Sequence, residues 1–186
     1  MGTLRYDPDV PTKLAEVGRD LANLESRALK RIATKGGRVL DYQLRSTNVT
    51  TTATTQSGAA TVHQSEPVEV KTDRFYRVEC PNFSCFQVGG MTSVGIINAV
   101  ITYTEDGSEP TSTDPYLVLT GCVTPSDNLV VTNGVCGFYF ASANVTFRAG
   151  LFFWRGVTGG GTSGGVFGAS FIELVIMDTG LDAQTA

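Results

Sequence analysis

The chain has 186 residues and a formal net charge of −4, and only 17% of its residues are charged. That charged fraction is below the roughly 25% usual for soluble domains, so we expect the chain to hide part of its surface in an oligomer. The length fits one domain of about 100 to 150 residues plus a short appendage and argues against two full domains. Charged residues near the N-terminus interrupt any apolar run, and no run approaches the roughly 20 residues that span a bilayer, so we expect neither a signal peptide nor a membrane segment.

Residues 12–35 are predicted to form a helix that begins after Pro11 and ends at Gly36-Gly37. Its apolar residues alternate at spacings of three and four, which is the heptad pattern of a coiled-coil seam but also suits a helix packed on its own domain. Because no second helix is predicted, we favour self-association and expect residues 1–37 to be an arm and helical stalk for docking or trimerisation. The predicted contact residues are Leu14, Val17, Leu21, Leu24 and Ala28.

From residue 38 onwards, short β-branched and aromatic runs alternate with turn residues. Asn133-Gly134 separates two apolar runs, residues 129–132 and 135–141, and predicts a hairpin between them. Eight or so predicted strands have no helix among them, so we expect residues 38–186 to form an antiparallel β-sandwich or jelly-roll head. The predicted fold class is therefore mainly β with a short N-terminal helix.

Two predicted strands, residues 145–155 and 171–177, are apolar on both faces. The outer face of a two-layer sandwich is normally wet, so something must cover a strand that is apolar on both faces. A second copy of the chain around a threefold axis would do so. We therefore predict trimer contacts of the head at Phe152, Trp154, Ile172, Leu174 and Ile176.

No pattern for catalysis, cofactor binding or metal binding stands out. His63 is the single histidine and has no nucleophile motif around it, so we expect it to face solvent or a trimer contact. The Gly-rich residues 156–168 lack the Gly-Lys-Ser/Thr of a phosphate-binding loop, and the acidic residues in 105–114 lack the spacing of a calcium loop. The four cysteines follow no metal-ligand spacing, and we expect buried free thiols. We expect a protein that is not an enzyme.

Three short motifs resemble those of minor tail or fibre-like proteins of phages that infect actinobacteria. They are Leu-Ala-Asn-Leu-Glu at 21–25, Arg-Phe-Tyr-Arg-Val at 74–78 and Asp-Thr-Gly at 178–180. The resemblance implies a virion protein with a short helical stalk and a trimeric jelly-roll head, similar in outline to C1q- and tumour-necrosis-factor-like heads. It supplies no enzymatic residues.

On these grounds we expect a homotrimeric structural protein of the virion, on the tail or on a fibre, that docks on other virion proteins. One alternative is a capsid decoration protein that stabilises the head shell as a trimer. A second alternative is a head that binds glycans of the host surface, with Tyr103, Tyr116 or Tyr139 stacking on sugar. A basic stripe with interleaved aromatic residues is absent from the sequence, so we expect no nucleic-acid partner.

Overall fold

The computed structural model describes residues 37–88, 95–124, 130–156, 166–170 and 172–182, and most of these residues are in β-strands. The predicted helix of residues 12–35 lies outside the described residues. So do the predicted contact residues of the stalk, Leu14, Val17, Leu21, Leu24 and Ala28. Within the described ranges, no helix is long and apolar enough to cross a membrane.

Eleven strands follow one another in the described part of the chain. They are β1 (Arg38–Arg45), β2 (Val49–Thr51), β3 (Ala60–Gln64), β4 (Val68–Val70), β5 (Arg74–Val88), β6 (Gly95–Thr104), β7 (Tyr116–Thr124), β8 (Val131–Ala141), β9 (Val145–Arg155), β10 (Val166–Ser170) and β11 (Ile172–Asp182). A single 3-10 turn, Gln56–Gly58, lies between β2 and β3.

The strands form two antiparallel sheets that enclose a common core. In sheet A, β1 and β2 lie along one edge and pair with β11 and β10, which in turn pair with β5, and β8 forms the other edge. In sheet B, β3 and β4 pair with β9, followed by β6 and the edge strand β7. The predicted antiparallel β-sandwich is therefore confirmed.

The core consists of the inward side chains of both sheets. Large aromatic residues alternate with outward residues along β5 and β9, as the period of two in a strand requires. Phe83 of sheet A and Phe153 of sheet B meet across the core with ring centroids 6.2 Å apart. Removing these side chains from water is the main driving force that holds the sheets together.

The hairpin predicted at Asn133-Gly134 is wrong, because β8 runs unbroken through both residues. Asn133 pairs with Phe83 and Val135 pairs with Cys80, so β5 advances three residues where β8 advances two. The extra residue is a bulge in β5, which leaves β8 continuous. Residues 131–132 and 135–141 therefore belong to one edge strand.

Candidate functional site

Phe152 and Trp154, predicted as trimer contacts, are covered by the chain itself. They alternate with the core residue Phe153 and so lie on the outer face of sheet B, where they are 3% and 7% exposed. Ala53 and Ala59, from the connection between β2 and β3, pack against them. Phe152 and Trp154 are therefore buried by their own chain. A second copy is not needed to cover them, so they are not the predicted trimer contacts.

The covering connection is held by a pair of reciprocal hydrogen bonds. The Gln56 side-chain amide donates to the Ser112 carbonyl at 2.6 Å, and the Ser112 hydroxyl donates to the Gln56 carbonyl at 2.6 Å. The backbone N–H of Arg155 donates to the Ala53 carbonyl at 2.8 Å. These bonds fix the β2–β3 connection over the outer side of β9.

The second set of predicted trimer contacts belongs to the core. Ile172, Leu174 and Ile176 have no exposed surface and face the interior of the sandwich. The outward set of β11 is the other one, in which Glu173 lies beside Val175 and the half-buried Met177, so the outer face of this strand is only partly apolar. The predicted trimer contacts at Ile172, Leu174 and Ile176 are therefore wrong, because these residues lie on the inner face of β11.

An apolar surface that the predictions missed covers the outer face of sheet A. We call it the sheet-A face. Strand register aligns Val39 with Met177, Arg77 and Phe138 in one row, and Tyr42 with Val175, Glu79 and Cys136 in the next. Its large apolar side chains with the most exposure are Val39 (51%), Tyr42 (50%), Leu44 (59%), Phe138 (63%) and Phe140 (42%).

The polar groups on the sheet-A face have partners within it. Arg77 forms an ion pair with Glu79 at 3.1 Å and also contacts the Met177 sulfur at 3.2 Å. The Tyr42 hydroxyl donates to Glu173 at 3.1 Å. Covering this face would leave the Arg77–Glu79 pair compensated, which lowers the cost of removing water from it, whereas the Glu173 carboxylate has a neutral hydroxyl as its partner.

A second exposed apolar surface follows the edge of sheet B. We call it the β7 strip, and its residues are Ile96 (36%), Tyr116 (59%), Leu119 (48%) and Val123 (59%). Ile96 and Val123 lie directly opposite each other on β6 and β7. Strand β7 contains no charged residue and no proline, although it is an edge strand in the described part of the sheet.

An open cleft of about 620 Å³ lies beside the turn that follows β6. Tyr103 forms part of its lining, together with the carboxylates of Glu105, Asp106 and Asp114. The Ser108 hydroxyl and backbone N–H donate to Asp106 and hold the pKa of that carboxyl below its usual value. Within the described ranges, no group of three or more His, Cys, Asp or Glu residues is arranged to hold a metal ion.

The three tyrosines proposed for sugar stacking differ in exposure. Tyr139 is 5% exposed, and its hydroxyl donates to Glu105 at 2.8 Å, so its ring belongs to the core. Tyr116 is exposed on the β7 strip. Tyr103 is half-buried in the cleft wall and stacks on Phe147 with ring centroids 5.7 Å apart. Of the three, Tyr103 alone combines a cleft with neighbouring carboxylates.

His63 connects the two sheets. Its Nε2 atom is 2.9 Å from the backbone carbonyl of Ile172 and donates to it. Burial lowers the pKa of His63, the bond to the carbonyl opposes that effect, and the nearby Arg45 charge lowers the pKa further. The ring is half-buried between β3 and β11, so it neither faces open solvent nor requires a second copy.

Three of the four cysteines are buried free thiols, as predicted. They are Cys80, Cys85 and Cys122, and burial raises the pKa of Cys80 to about 12. Cys136 differs from the prediction, because it is exposed on the sheet-A face opposite Glu79. An exposed thiol on an apolar face is a useful chemical marker of that face.

The sequence held a signal for the sheet-A face. Buried and exposed residues alternate along residues 135–141, yet both sets carry large apolar side chains. Tyr139 belongs to the buried set, and Phe138 and Phe140 belong to the exposed set. A strand with apolar residues on both faces needs a cover, as argued for residues 145–155 and 171–177, and residues 135–141 meet the same criterion. The predicted hairpin divides β8 at Asn133-Gly134, which hides the length of this strand and its two apolar faces.

No protein-family model matches the chain, and no curated protein matches its sequence. Among solved structures, the chain is similar to a chain of the infectious bursal virus derived T=1 particles, with 7% identity, 80% of this chain and 32% of that chain covered, and a TM-score of 0.48. It is also similar to the EclA C-terminal domain, a sugar-binding protein (10% identity, 69% and 77% covered, TM-score 0.37). A third similar structure is the CBM22-1 xylan-binding domain from Paenibacillus barcinonensis (7% identity, 76% and 96% covered, TM-score 0.35).

This chain spans about a third of the length of the viral chain that it matches. All three TM-scores lie below 0.5, so these likenesses carry no argument about function.

Proposed function

We propose that this chain is a non-enzymatic structural protein of a phage virion, a homotrimer whose β-sandwich head is exposed on the tail or on a fibre. The observation that carries the proposal is the sheet-A face, where five large apolar side chains are 42–63% exposed in a single copy. Exposed apolar side chains grouped on one sheet face mark sites of protein contact. The assignment to a phage particle comes from the resemblance of the three sequence motifs.

The strand order supports a jelly-roll head within this proposal. When β1 with β2, β3 with β4, and β10 with β11 are each counted as one interrupted strand, each sheet has four strands. The chain then changes sheet at every connection except the one from β6 to β7. Eight antiparallel strands in two sheets are typical of jelly rolls, which occur in viral capsid and lectin domains.

The roles of the reactive side chains support a structural function. His63 donates to a backbone carbonyl between the sheets, and Cys80, Cys85 and Cys122 lie inside the core. These groups therefore contribute to the fold, and the buried thiol of Cys80, whose pKa is raised to about 12, is a poor nucleophile.

The first test is the mass of the full chain in solution, measured by light scattering at micromolar concentration. We expect three times the chain mass of 19.8 kDa. A Phe138→Lys variant should weaken assembly because it places a charge on the sheet-A face, whereas Ser57→Lys, in the exposed 3-10 turn, should not. A monomer for the unaltered chain would overturn the homotrimer.

The position in the particle needs a separate test. Antibody labelling of intact phage particles, viewed by electron microscopy, should place the protein on the tail or fibre. Labelling spread over the head would instead support the decoration protein, and so would binding of the purified chain to shells that lack tails. Particles without any label would contradict a virion protein of either kind.

The cleft favours glycan binding as a second candidate function. A half-buried tyrosine ring beside Glu105, Asp106 and Asp114 offers both a stacking surface and acceptors for sugar hydroxyls. A glycan array probed with the full chain should give hits that Tyr103→Ala removes. Tyr116→Ala, which alters an exposed ring that is not part of the cleft lining, is the matched control. An array without hits would leave the cleft without this role.

A further inference from the structure

We infer that copies of this chain contact one another head to tail, with the sheet-A face of one copy packed on the β7 strip of the next. The inference rests on the proposed homotrimer and names the surfaces that would build it.

The first step of the argument is symmetry. A closed ring of three identical subunits requires a heterologous interface, in which each subunit uses two different surfaces. Of the ten exposed large apolar side chains in the described ranges, five lie on the sheet-A face and four on the β7 strip. One surface is the outer side of sheet A and the other lies along sheet B. The molecule therefore presents the two separate surfaces that a ring requires.

The second step is charge. Strand β7 carries no charged residue, and the Arg77–Glu79 pair is internally compensated on the sheet-A face. Glu173, opposite Leu44, adds one carboxylate to the sheet-A face, so the two surfaces offer few charges against nine exposed large apolar side chains. An apolar partner surface therefore fits both the sheet-A face and the β7 strip, and a second copy of the chain offers such a surface to each.

The third step concerns the strand edges. Proteins normally protect exposed edge strands with charges, prolines or very short length, because free edges pair with other chains. The edge strands β7 and β8 are nine and eleven residues long and contain neither charge nor proline. These two edges belong to the β7 strip and the sheet-A face respectively. Because Leu117 of β7 already approaches Gly137 of β8 within one chain, a second copy would cover the outward side chains of these strands.

The fourth step is size. Four strands about 4.8 Å apart and six residues of about 3.3 Å each give the sheet-A face an area on the order of 400 Å². Stable interfaces bury about 800 Å² on each partner. A single contact through the sheet-A face falls short of this area with either partner surface, but a ring gives every copy two contacts, one through each of its two surfaces.

The native thiol of Cys136 provides a direct test, because it lies on the sheet-A face beside Phe138. A Leu119→Cys substitution adds a thiol on the β7 strip, at a position that is 48% exposed and should tolerate the change. The full chain would be treated with a short bismaleimide and separated on a denaturing gel. We expect covalent dimers and trimers from Leu119→Cys.

Two controls accompany this variant. Adding Cys136→Ser to Leu119→Cys should abolish the cross-links, and Ser57→Cys, in the exposed 3-10 turn, should give none. Covalent dimers from the unaltered chain would mean that Cys136 of one copy meets Cys136 of another, which overturns the head-to-tail contact. A trimer by light scattering that gives no cross-links through Leu119→Cys would also overturn it, while the homotrimer stands. A monomer by light scattering would defeat the proposed function itself.

Discussion

The side chain of Leu117 lies so close to Gly137 that a Cβ atom added to Gly137 would come within 2.6 Å of the Leu117 Cβ and 3.2 Å of its backbone carbon. Leu117 belongs to β7 and Gly137 to β8, so the contact joins the edge strands of the two sheets. A glycine inside a strand often marks such a close backbone approach. Because Gly137 has no side chain, the two edge strands can approach this closely and close the sandwich on this side.

A Gly137→Ala substitution should therefore lower the free energy of unfolding by about 1 to 3 kcal/mol, because the added methyl group must push the two edges apart. Urea unfolding followed by circular dichroism would measure the change. Gly134→Ala on the same strand is the matched control, since its added Cβ would lie 3.7 Å from the nearest atom, the Pro81 carbonyl oxygen. Equal changes in both variants would show that the Leu117 contact does not set the effect at Gly137.

Much of the sandwich could be predicted from local pattern alone. The strand β9 was predicted with the bounds that it has, Val145–Arg155, because its apolar run is long and ends at clear turn residues. The hairpin at Asn133-Gly134 failed because pairing with the long strand β5 outweighed a local turn preference. Local signals decide where strands occur, and long-range pairing decides whether they are interrupted.

The contact surfaces were harder to predict. In the predicted strand 171–177, both alternating sets carry apolar residues, but only one set also contains a charged residue, Glu173, which marks that set as the outward one. The cover over Trp154 depends on the bond between Gln56 and Ser112, which are 56 positions apart. No periodicity in the sequence reports such a contact. Burial within one chain was therefore mistaken for burial between copies.

Trp154 is the single tryptophan and reports directly on that cover. Because it is 7% exposed beneath Ala53 and Ala59, we expect blue-shifted emission and weak quenching by acrylamide. Ser112→Ala removes the donor to the Gln56 carbonyl and should increase quenching, with a loss of stability of about 1 kcal/mol.

Ser57→Ala is the control for this experiment, because Ser57 is an exposed residue of the same 3-10 turn. Weak quenching in both variants would mean that the bond from Ser112 is not needed to hold the cover. Strong quenching in the unaltered chain would contradict the position of Trp154 beneath it.

The cysteines should separate into one accessible thiol and three protected ones. Cys136 is exposed, whereas Cys80, Cys85 and Cys122 are buried and burial raises the pKa of Cys80 to about 12. In dilute native protein we expect one thiol to react quickly with a maleimide, and all four to react in urea. Mass spectrometry of the labelled peptides would identify the reactive site.

The concentration dependence of this labelling is informative. If copies assemble through the sheet-A face, the reaction of Cys136 should slow as the protein concentration rises. Cys136→Ser should remove the fast phase without changing the protected thiols. Rapid labelling of Cys80 or Cys85 in the native protein would contradict the core described above.

His63 should make the fold sensitive to mild acid. Burial holds the pKa of His63 below its usual value, with the Arg45 charge acting in the same direction and the Ile172 carbonyl against it. An unfolded chain then binds a proton at a higher pH than the folded chain does. The contribution of neutral His63 is therefore fully present above the unfolded pKa of about 6.5 and is lost as the pH falls through the lower folded value.

The measurement is the free energy of unfolding in urea over a series of buffers from roughly pH 8 to pH 5. His63→Gln is the matched variant, because its amide can still donate to the Ile172 carbonyl but does not titrate. We expect the stability of the unaltered chain to fall more steeply below about pH 6.5 than that of the variant. Carboxylates that titrate in the same range contribute equally to both chains, so their effect cancels in the difference. Parallel curves would show that the histidine titrates alike in the folded and unfolded chains, and the ring would then be more hydrated than its place between β3 and β11 implies.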